Sequence, residues 1–241
     1  EYTKASPFVV LLGKGNHEIV SSWTNQYENV LTTMLEITCS NITFLGNGKD
    51  TTKILGGFCF DGQENITFNN MTVTNANGMG IRLGSDAEVL LIDVAVTGCH
   101  GSGLFIPSTT AETTVTARHC EFANCDEGVF VQNGSSEYRV YGGWKDTGSV
   151  SASFFDCQFY NNTSEGIRGW HAEIHLHGQS TAVNHNGSVG IGAYGATKVL
   201  IHLPPNHKTS WGNKEEDRKE DTARGGSIRN VPSVLEVTEN E

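Results

Sequence analysis

The sequence predicts an all-β solenoid, a single-stranded parallel β-helix of about seven coils with an N-terminal cap and a C-terminal tail. A recurring phrase carries the prediction: two apolar residues at i and i+2, a polar step, a further apolar position, then a glycine ahead of the next apolar pair. It reads Asn65-Ile66-Thr67-Phe68-Asn69-Asn70-Met71-Thr72-Val73 and then Gly80-Ile81-Arg82-Leu83, with an earlier copy starting at Asn41-Ile42-Thr43-Phe44. Later copies end on Gly103-Leu104-Phe105-Ile106, Gly128-Val129-Phe130-Val131, Gly166-Ile167-Arg168 and Gly190-Ile191-Gly192. Gly57, Gly80, Gly103, Gly128, Gly166 and Gly190 lie 23, 23, 25, 38 and 24 residues apart, a period that marks stacked repeats. The apolar period of two, the β-branched residues and a glycine every ~10 to 12 residues argue against helix.

Residues 1–34 precede the regular repeat. Pro7 to Leu12 reads as a strand ended by Gly13-Lys14-Gly15-Asn16, His17 to Val20 as a second short strand, and Thr24 as the cap of a short helix through Tyr27 and Val30. This segment serves as the cap that keeps a strand edge from pairing with other chains. Residues 35–203 hold the repeat. Ile42, Ile66, Val89, Val115, Ala152, Ile174 and Val199 form one row, and Phe44, Phe68, Leu91, Ala117, Phe154, Leu176 and Ile201 the row two residues on. Val73, Val96, Phe122, Phe159 and Val183 form a third. Residues two apart on a strand face one side, so every row points inward. Coils ~4.8 Å apart make a rod on the order of 35 Å long, and the stack, not the single coil, is the folding unit.

The long interval between Gly128 and Gly166 places an extruded loop at 132–149, a usual site of function on a rigid scaffold. Residues 204–241 form the tail. Asn213 to Arg224 is nearly all charged or polar and reads as a solvated loop, with Gly225 to Ile228 and Val234 to Val237 as final capping or flanking strands.

These rows resemble the right-handed parallel β-helix repeats of the pectate-lyase-like superfamily, over about residues 35–203. The resemblance implies a right-handed coil. It also spans lyases, hydrolases, epimerases, adhesins and phage tailspikes, so it implies several activities. In the resembling lyases a calcium held by acidic side chains and an Arg or Lys base do the work; in the resembling hydrolases clustered Asp residues do. The Asn-Thr-Asp and Gly-His-Gly strings of those hydrolases are absent here.

The chain has 241 residues, 27 acidic and 16 basic, for a formal charge of −11. Such a balance argues against nucleic acid or an anionic membrane as main partner, and leaves room for a local basic patch. No apolar run approaches the ~18 residues of a membrane helix, so no membrane insertion is expected. Asn-X-Ser/Thr triplets begin at Asn41, Asn65, Asn70, Asn133, Asn161, Asn162 and Asn186. In an extracellular or secretory-lumen protein they would accept glycans; otherwise an Asn- and Thr-rich repeat generates them as turn residues. Cys39, Cys59, Cys99, Cys120, Cys125 and Cys157 lack zinc-type spacing. Cys120 with Cys157, and Cys99 with Cys125, fall at equivalent sites on adjacent coils, which suits a ladder of buried thiols and permits a Cys99–Cys125 disulfide.

Two outward clusters carry chemistry. In Trp170-His171-Ala172-Glu173-Ile174-His175-Leu176-His177, inward Ile174 and Leu176 put Glu173, His175 and His177 outward. His202 falls beside His177 on the next coil. Residues i and i+2 stand ~6.5 Å apart on a flat strand, so His177 and His202 are the pair placed to share a metal; the plain alternative is a solvated polar face. The second cluster follows the repeat glycines. Glu127 and Glu165 precede Gly128 and Gly166, Asp126 adjoins, Arg82 and Arg168 occupy equivalent positions, Trp170 is near, and the loop offers Tyr138, Tyr141 and Trp144. Carboxylates for acid–base work, arginine for a uronate and aromatic faces for pyranose rings compose a sugar site; surface charge and turn-stabilising acids are the alternative. Glu127, Glu165 and Arg168 are then the catalytic candidates, and Arg82, Asp126, Tyr138, Tyr141, Trp144 and Trp170 the substrate-binding ones. The residues name no cofactor, and the resemblance to the lyases allows calcium.

The functional expectation is a protein that binds or modifies a polysaccharide or other glycan, as a lyase, glycoside hydrolase or epimerase if it is an enzyme. The alternative is a non-catalytic scaffold for a protein partner. Burial of the acids in ion pairs would count against the catalytic form.

Overall fold

The computed structural model describes residues 2–24, 30–107, 112–133 and 149–231. It is an all-β parallel solenoid of about seven turns, and the only helical element among the described residues is a short 3-10 turn at Thr222–Arg224. Each coil lays one strand on each of three faces. The first two faces meet at a sharp corner, where Asn70, Asp93, His119 and Asp156 all adopt positive φ near 50–57°. Short polar side chains tolerate that backbone, and two strands, Ile66–Thr74 and Glu88–Thr97, run through the corner unbroken.

The inward rows are paired residue by residue. Ile42, Ile66, Val89, Val115, Ala152, Ile174 and Val199 align in parallel register on the first face. Phe8 extends the row at one end and Ile228 at the other. Val73, Val96, Phe122, Phe159 and Val183 align on the second face. Like residues therefore stack: Phe44 lies on Phe68 with centroids 5.0 Å apart and planes 7° apart, and Phe122 lies on Phe159 at 5.3 Å and 11°. Phe154 meets Phe159 edge-on. Each fully buried phenylalanine contributes on the order of 2–3 kcal/mol, and the columns fix the register because a one-residue slip would turn every ring outward.

Both ends differ from the sequence reading. Residues 25–29 of the helix expected after Thr24 lie outside the described residues, but its two ends are strand: Ser22–Thr24 and Val30–Thr32 pair antiparallel, in keeping with the strand preference of Val, Thr and Trp. The two early strands join the stack directly, Phe8–Leu11 on Ile42–Leu45 and Gly15–Glu18 on Thr52–Leu55. The polar stretch after residue 203 also continues the coil. Ser210–Trp211, Arg218–Glu220 and Ser227–Asn230 each pair in parallel with the preceding turn. Its apolar row is hidden because Ser210 and Arg218 occupy positions that hold Val183 and Ile191 one coil earlier. The expected strand at 234–237 lies outside the described residues.

A turn row ties the coils together by side chains. Cys99 and Cys125 begin it and Asn162, Asn186 and Asn213 continue it. The Asn162 amide Nδ2 donates to Asn186 Oδ1 at 2.9 Å, and Asn186 Nδ2 donates to Asn213 Oδ1 at 2.8 Å. Asn162 and Asn186 are thus buried structural residues, not exposed glycan acceptors. Asn41, Asn65, Asn70 and Asn161 serve as left-handed turn residues. All six cysteines are free thiols and only Cys39 is exposed. Burial and the neighbouring Cys120 thiol push Cys157 far up, and burial lifts Cys59 to about 12.

Candidate functional site

The third face carries the strand that follows each repeat glycine. Its inward residues, Ile81, Leu104, Val129, Ile167 and Ile191, are fully buried. The alternate residues from the second coil on therefore face outward, in a register that runs Arg82, Phe105, Phe130, Arg168, Gly192, Lys219; Cys59, which pairs with Arg82, is covered. Two residues on, Gln132, Trp170 and Tyr194 form a second outward column.

These columns interlock. The Phe105 and Phe130 rings lie 5.3 Å apart. The Arg168 guanidinium sits 4.7 Å from the Phe130 centroid and 5.9 Å from that of Tyr194, distances at which a cation is attracted to a ring face. Trp170 and Tyr194 stack at 6.0 Å and 25°. Gly192 makes this possible: a Cβ there would lie 2.5 Å from Tyr194 Cε2, so the tyrosine ring occupies the space a side chain would fill.

The acids stand at the edge of this face. Ser102, Glu127 and Glu165 precede Gly103, Gly128 and Gly166 on successive coils, linked by backbone bonds from Gly103 N to Glu127 O and from Gly128 N to Glu165 O. Glu127 accepts a hydrogen bond from Ser102 at 2.8 Å and from Arg168 Nη1 at 3.3 Å, with 12% of its side chain exposed against 34% for Arg168. Glu165, 7% exposed, accepts from Ser164 at 2.6 Å and from the Tyr194 hydroxyl at 3.2 Å. Burial, with the Glu165 carboxylate beside it, pushes the Tyr194 phenol well above its usual range. Both carboxylates are thereby engaged inside the protein. Among the described residues, Arg168 Nε and Trp170 Nε1 are buried donors without a hydrogen-bond partner.

The structure brings Glu127, Glu165, Arg168 and Trp170 onto one connected patch. Arg82 shares the column but lies three coil steps from Arg168, roughly 14 Å at the ordinary strand spacing, and burial lowers its pKa. Asp126 turns to the adjoining turn, where its carboxylate accepts from Thr163 at 2.8 Å. Tyr138, Tyr141 and Trp144 lie outside the described residues. Tyr194, Phe130, Phe105, Ser102 and Ser164 were not singled out from sequence. The repeat phase could have found Tyr194, because it stands four residues after Gly190 as Trp170 stands four after Gly166.

On the first face, His177 and His202 are neighbours as expected, with stacked rings 4.1 Å apart and 6° from parallel. The column continues through Phe155, 4.3 Å from His177, to the Arg118 guanidinium 4.5 Å above Phe155. His175, which flat-strand spacing set aside, joins them: its Nδ1 lies 2.9 Å from His202 Nε2, and its Nε2 lies 2.9 Å from Glu173 Oε1. The i, i+2 rings lean together to 6.0 Å and His202 bridges them diagonally. Burial, then the neighbouring imidazoles His202 and His175 and the Arg118 charge, lower the His177 pKa to about 4; burial and His175 lower that of His202. Among the described residues this is the only group of three His, Cys, Asp or Glu side chains placed to hold a metal ion.

A family model described as right handed beta helix region matches residues 35–202. No curated protein is similar enough in sequence to count as a relative. Among solved structures, the chain is similar to ORF18 of Geobacillus virus E2, with TM-score 0.49 and 16% identity over 80% of this chain and 39% of that one. It therefore spans well under half the length of that viral protein. It is also similar to the A-modules of two Azotobacter vinelandii mannuronan C-5 epimerases. AlgE6 gives TM-score 0.38 and 12% identity over 95% of this chain and 90% of that one, and AlgE4 gives 0.35 and 11% over 95% and 89%. Among the described residues no helix is long and apolar enough to cross a membrane.

Proposed function

As the chain belongs to the right-handed β-helix family, we propose that it binds an acidic polysaccharide along the third face of its coil and holds it without cleaving it. One observation carries this reading: on a chain of net charge −11, a single outward column places Arg82, Phe105, Phe130, Arg168 and Lys219 in register. Aromatic faces suit the apolar side of a pyranose ring, and guanidinium groups suit its carboxylate. A column of parallel strands also repeats its groups at a fixed step, which matches a polymer better than a small molecule. The hydrogen bonds on Glu127 and Glu165 weigh for binding over chemistry, since a general acid or base must reach the bond it serves. With such a ligand the protein would act outside the cell or in a secretory lumen.

Titration calorimetry with a polyuronate and with a neutral glucan tests this. The polyuronate is expected to bind, with affinity that falls as salt rises, and Arg168→Gln to weaken it about tenfold, as loss of one charge-assisted hydrogen bond implies. Equal affinity for the neutral polymer, or no effect of the substitution, would contradict it. A scaffold reading is favoured by the first strand, Phe8–Leu11, which pairs on one side and leaves Phe8, Val9 and Leu11 exposed; no binding to any polymer, with concentration-dependent assembly, would favour that instead.

A further inference from the structure

We propose that His175, His177 and His202 form a binding site for one zinc-class divalent ion on the first face, distinct from the glycan-binding face. Their ligand nitrogens already lie within 4.8 Å of one another. The site is made by the coil itself. His175 and His177 are alternate residues of the strand Glu173–His177, and inward Ile174 and Leu176 fix them outward. His202 is docked beside them by its backbone N–H, which donates to Leu176 O at 2.8 Å.

The hydrogen bonds match what a metal-binding histidine needs. His175 Nε2 is held by Glu173 Oε1 at 2.9 Å, which leaves Nδ1 as the ligand atom and orients the ring, the usual arrangement of a carboxylate behind a metal-bound imidazole. That Nδ1 faces His202 Nε2 across 2.9 Å. With His175 Nε2–H directed at Glu173, His202 Nε2 carries the proton of this contact; when an ion takes its place that proton moves to His202 Nδ1, and both rings bind as neutral imidazoles. A zinc ion with ~2.0–2.1 Å bonds to nitrogen asks only for a slight opening of that pair. His177 must turn its ring out of the parallel stack with His202 so that its nitrogen points to the same centre. Three imidazoles, no carboxylate ligand and a partly open face select zinc, copper or nickel over calcium or magnesium and leave a fourth position to water. The Phe155 ring lies between His177 and the Arg118 guanidinium.

Tag-free protein stripped with chelator and titrated with ZnCl2, CoCl2 and CaCl2 tests the site. The expected result is one zinc per chain, a cobalt spectrum of tetrahedral intensity and no calcium binding at the same concentrations. His177→Phe keeps a ring in the stack on Phe155 and so preserves the fold while it removes a ligand. It and His202→Ala should each weaken zinc at least tenfold. Glu173→Gln, which only orients His175, should weaken it about tenfold, and His185→Ala should have no effect. Zinc affinity and cobalt spectrum unchanged in His177→Phe and His202→Ala, absence of zinc binding, or calcium binding as tight as zinc would each overturn the proposal.

Discussion

Asn186→Ala probes the side-chain ladder that joins the last coils. Asn186 Oδ1 accepts from Asn162 N at 3.1 Å and from Asn162 Nδ2 at 2.9 Å, while Asn186 Nδ2 donates to Phe159 O at 3.3 Å and to Asn213 Oδ1 at 2.8 Å. Both asparagines are 2% exposed, so alanine strands two buried donors on Asn162 where water cannot easily replace the lost acceptor. Each stranded group costs about 1–3 kcal/mol, which gives roughly 4 kcal/mol for the pair. For a chain of this size a loss of 1 kcal/mol lowers Tm by about 2–4 °C, so the drop should be roughly 8–16 °C. Circular dichroism melts measure it, and hydrogen exchange should show the Asn162 amide losing protection ahead of the Phe68 column. A fall under about 2 °C, or an Asn186→Leu variant as stable as the parent, would refute the claim that these asparagines are structural.

Other predictions follow from the same contacts. Glu127→Gln removes the anion that competes with a ligand carboxylate for Arg168; polyuronate affinity should rise about two- to threefold, whereas a fall would mean that Glu127 itself touches the ligand. His177 has a folded pKa of about 4, below its ordinary 6.5, so the unfolded chain binds the extra proton. In metal-free buffer stability should be full above pH 6.5, decline as pH falls to about 4 and then level off. The half-exposed ring limits that loss to about 1–2 kcal/mol, and His177→Phe should remove most of it, leaving the share of His202. With an aromatic disulfide reagent the native protein should yield one fast thiol, exposed Cys39, and the five buried ones only on denaturation; several fast thiols would contradict the buried ladder.

The inward rows were legible because burial selects residue type, and a period of two survives insertions elsewhere in the coil. Ile42 to Val199 and Val73 to Val183 pair as read from sequence. Legibility failed where polar residues take inward positions, as Ser210 and Arg218 do at the last coil, and at Thr24, where a helix cap and a strand residue look alike. The outward face was half legible. Glu127, Arg168 and Trp170 stood out by chemistry, but Phe130 and Tyr194 did not, because an aromatic residue in a repeat is read as core before its phase is counted. His175 was set aside by the geometry of a flat strand; here its ring leans toward His177 and meets His202 from the next coil.

The central claim is a coil face that holds acidic polysaccharide and leaves it intact. The most direct test incubates the protein with a panel of neutral and acidic polysaccharides, with and without calcium, and measures both co-sedimentation and product masses. Retention on the acidic polymers alone, calcium-independent and with every chain mass unchanged, is the predicted result. Shortened or unsaturated products would contradict it and make Glu127, Glu165 and Arg168 catalytic residues, and failure to sediment with any acidic polymer would remove the glycan from the account.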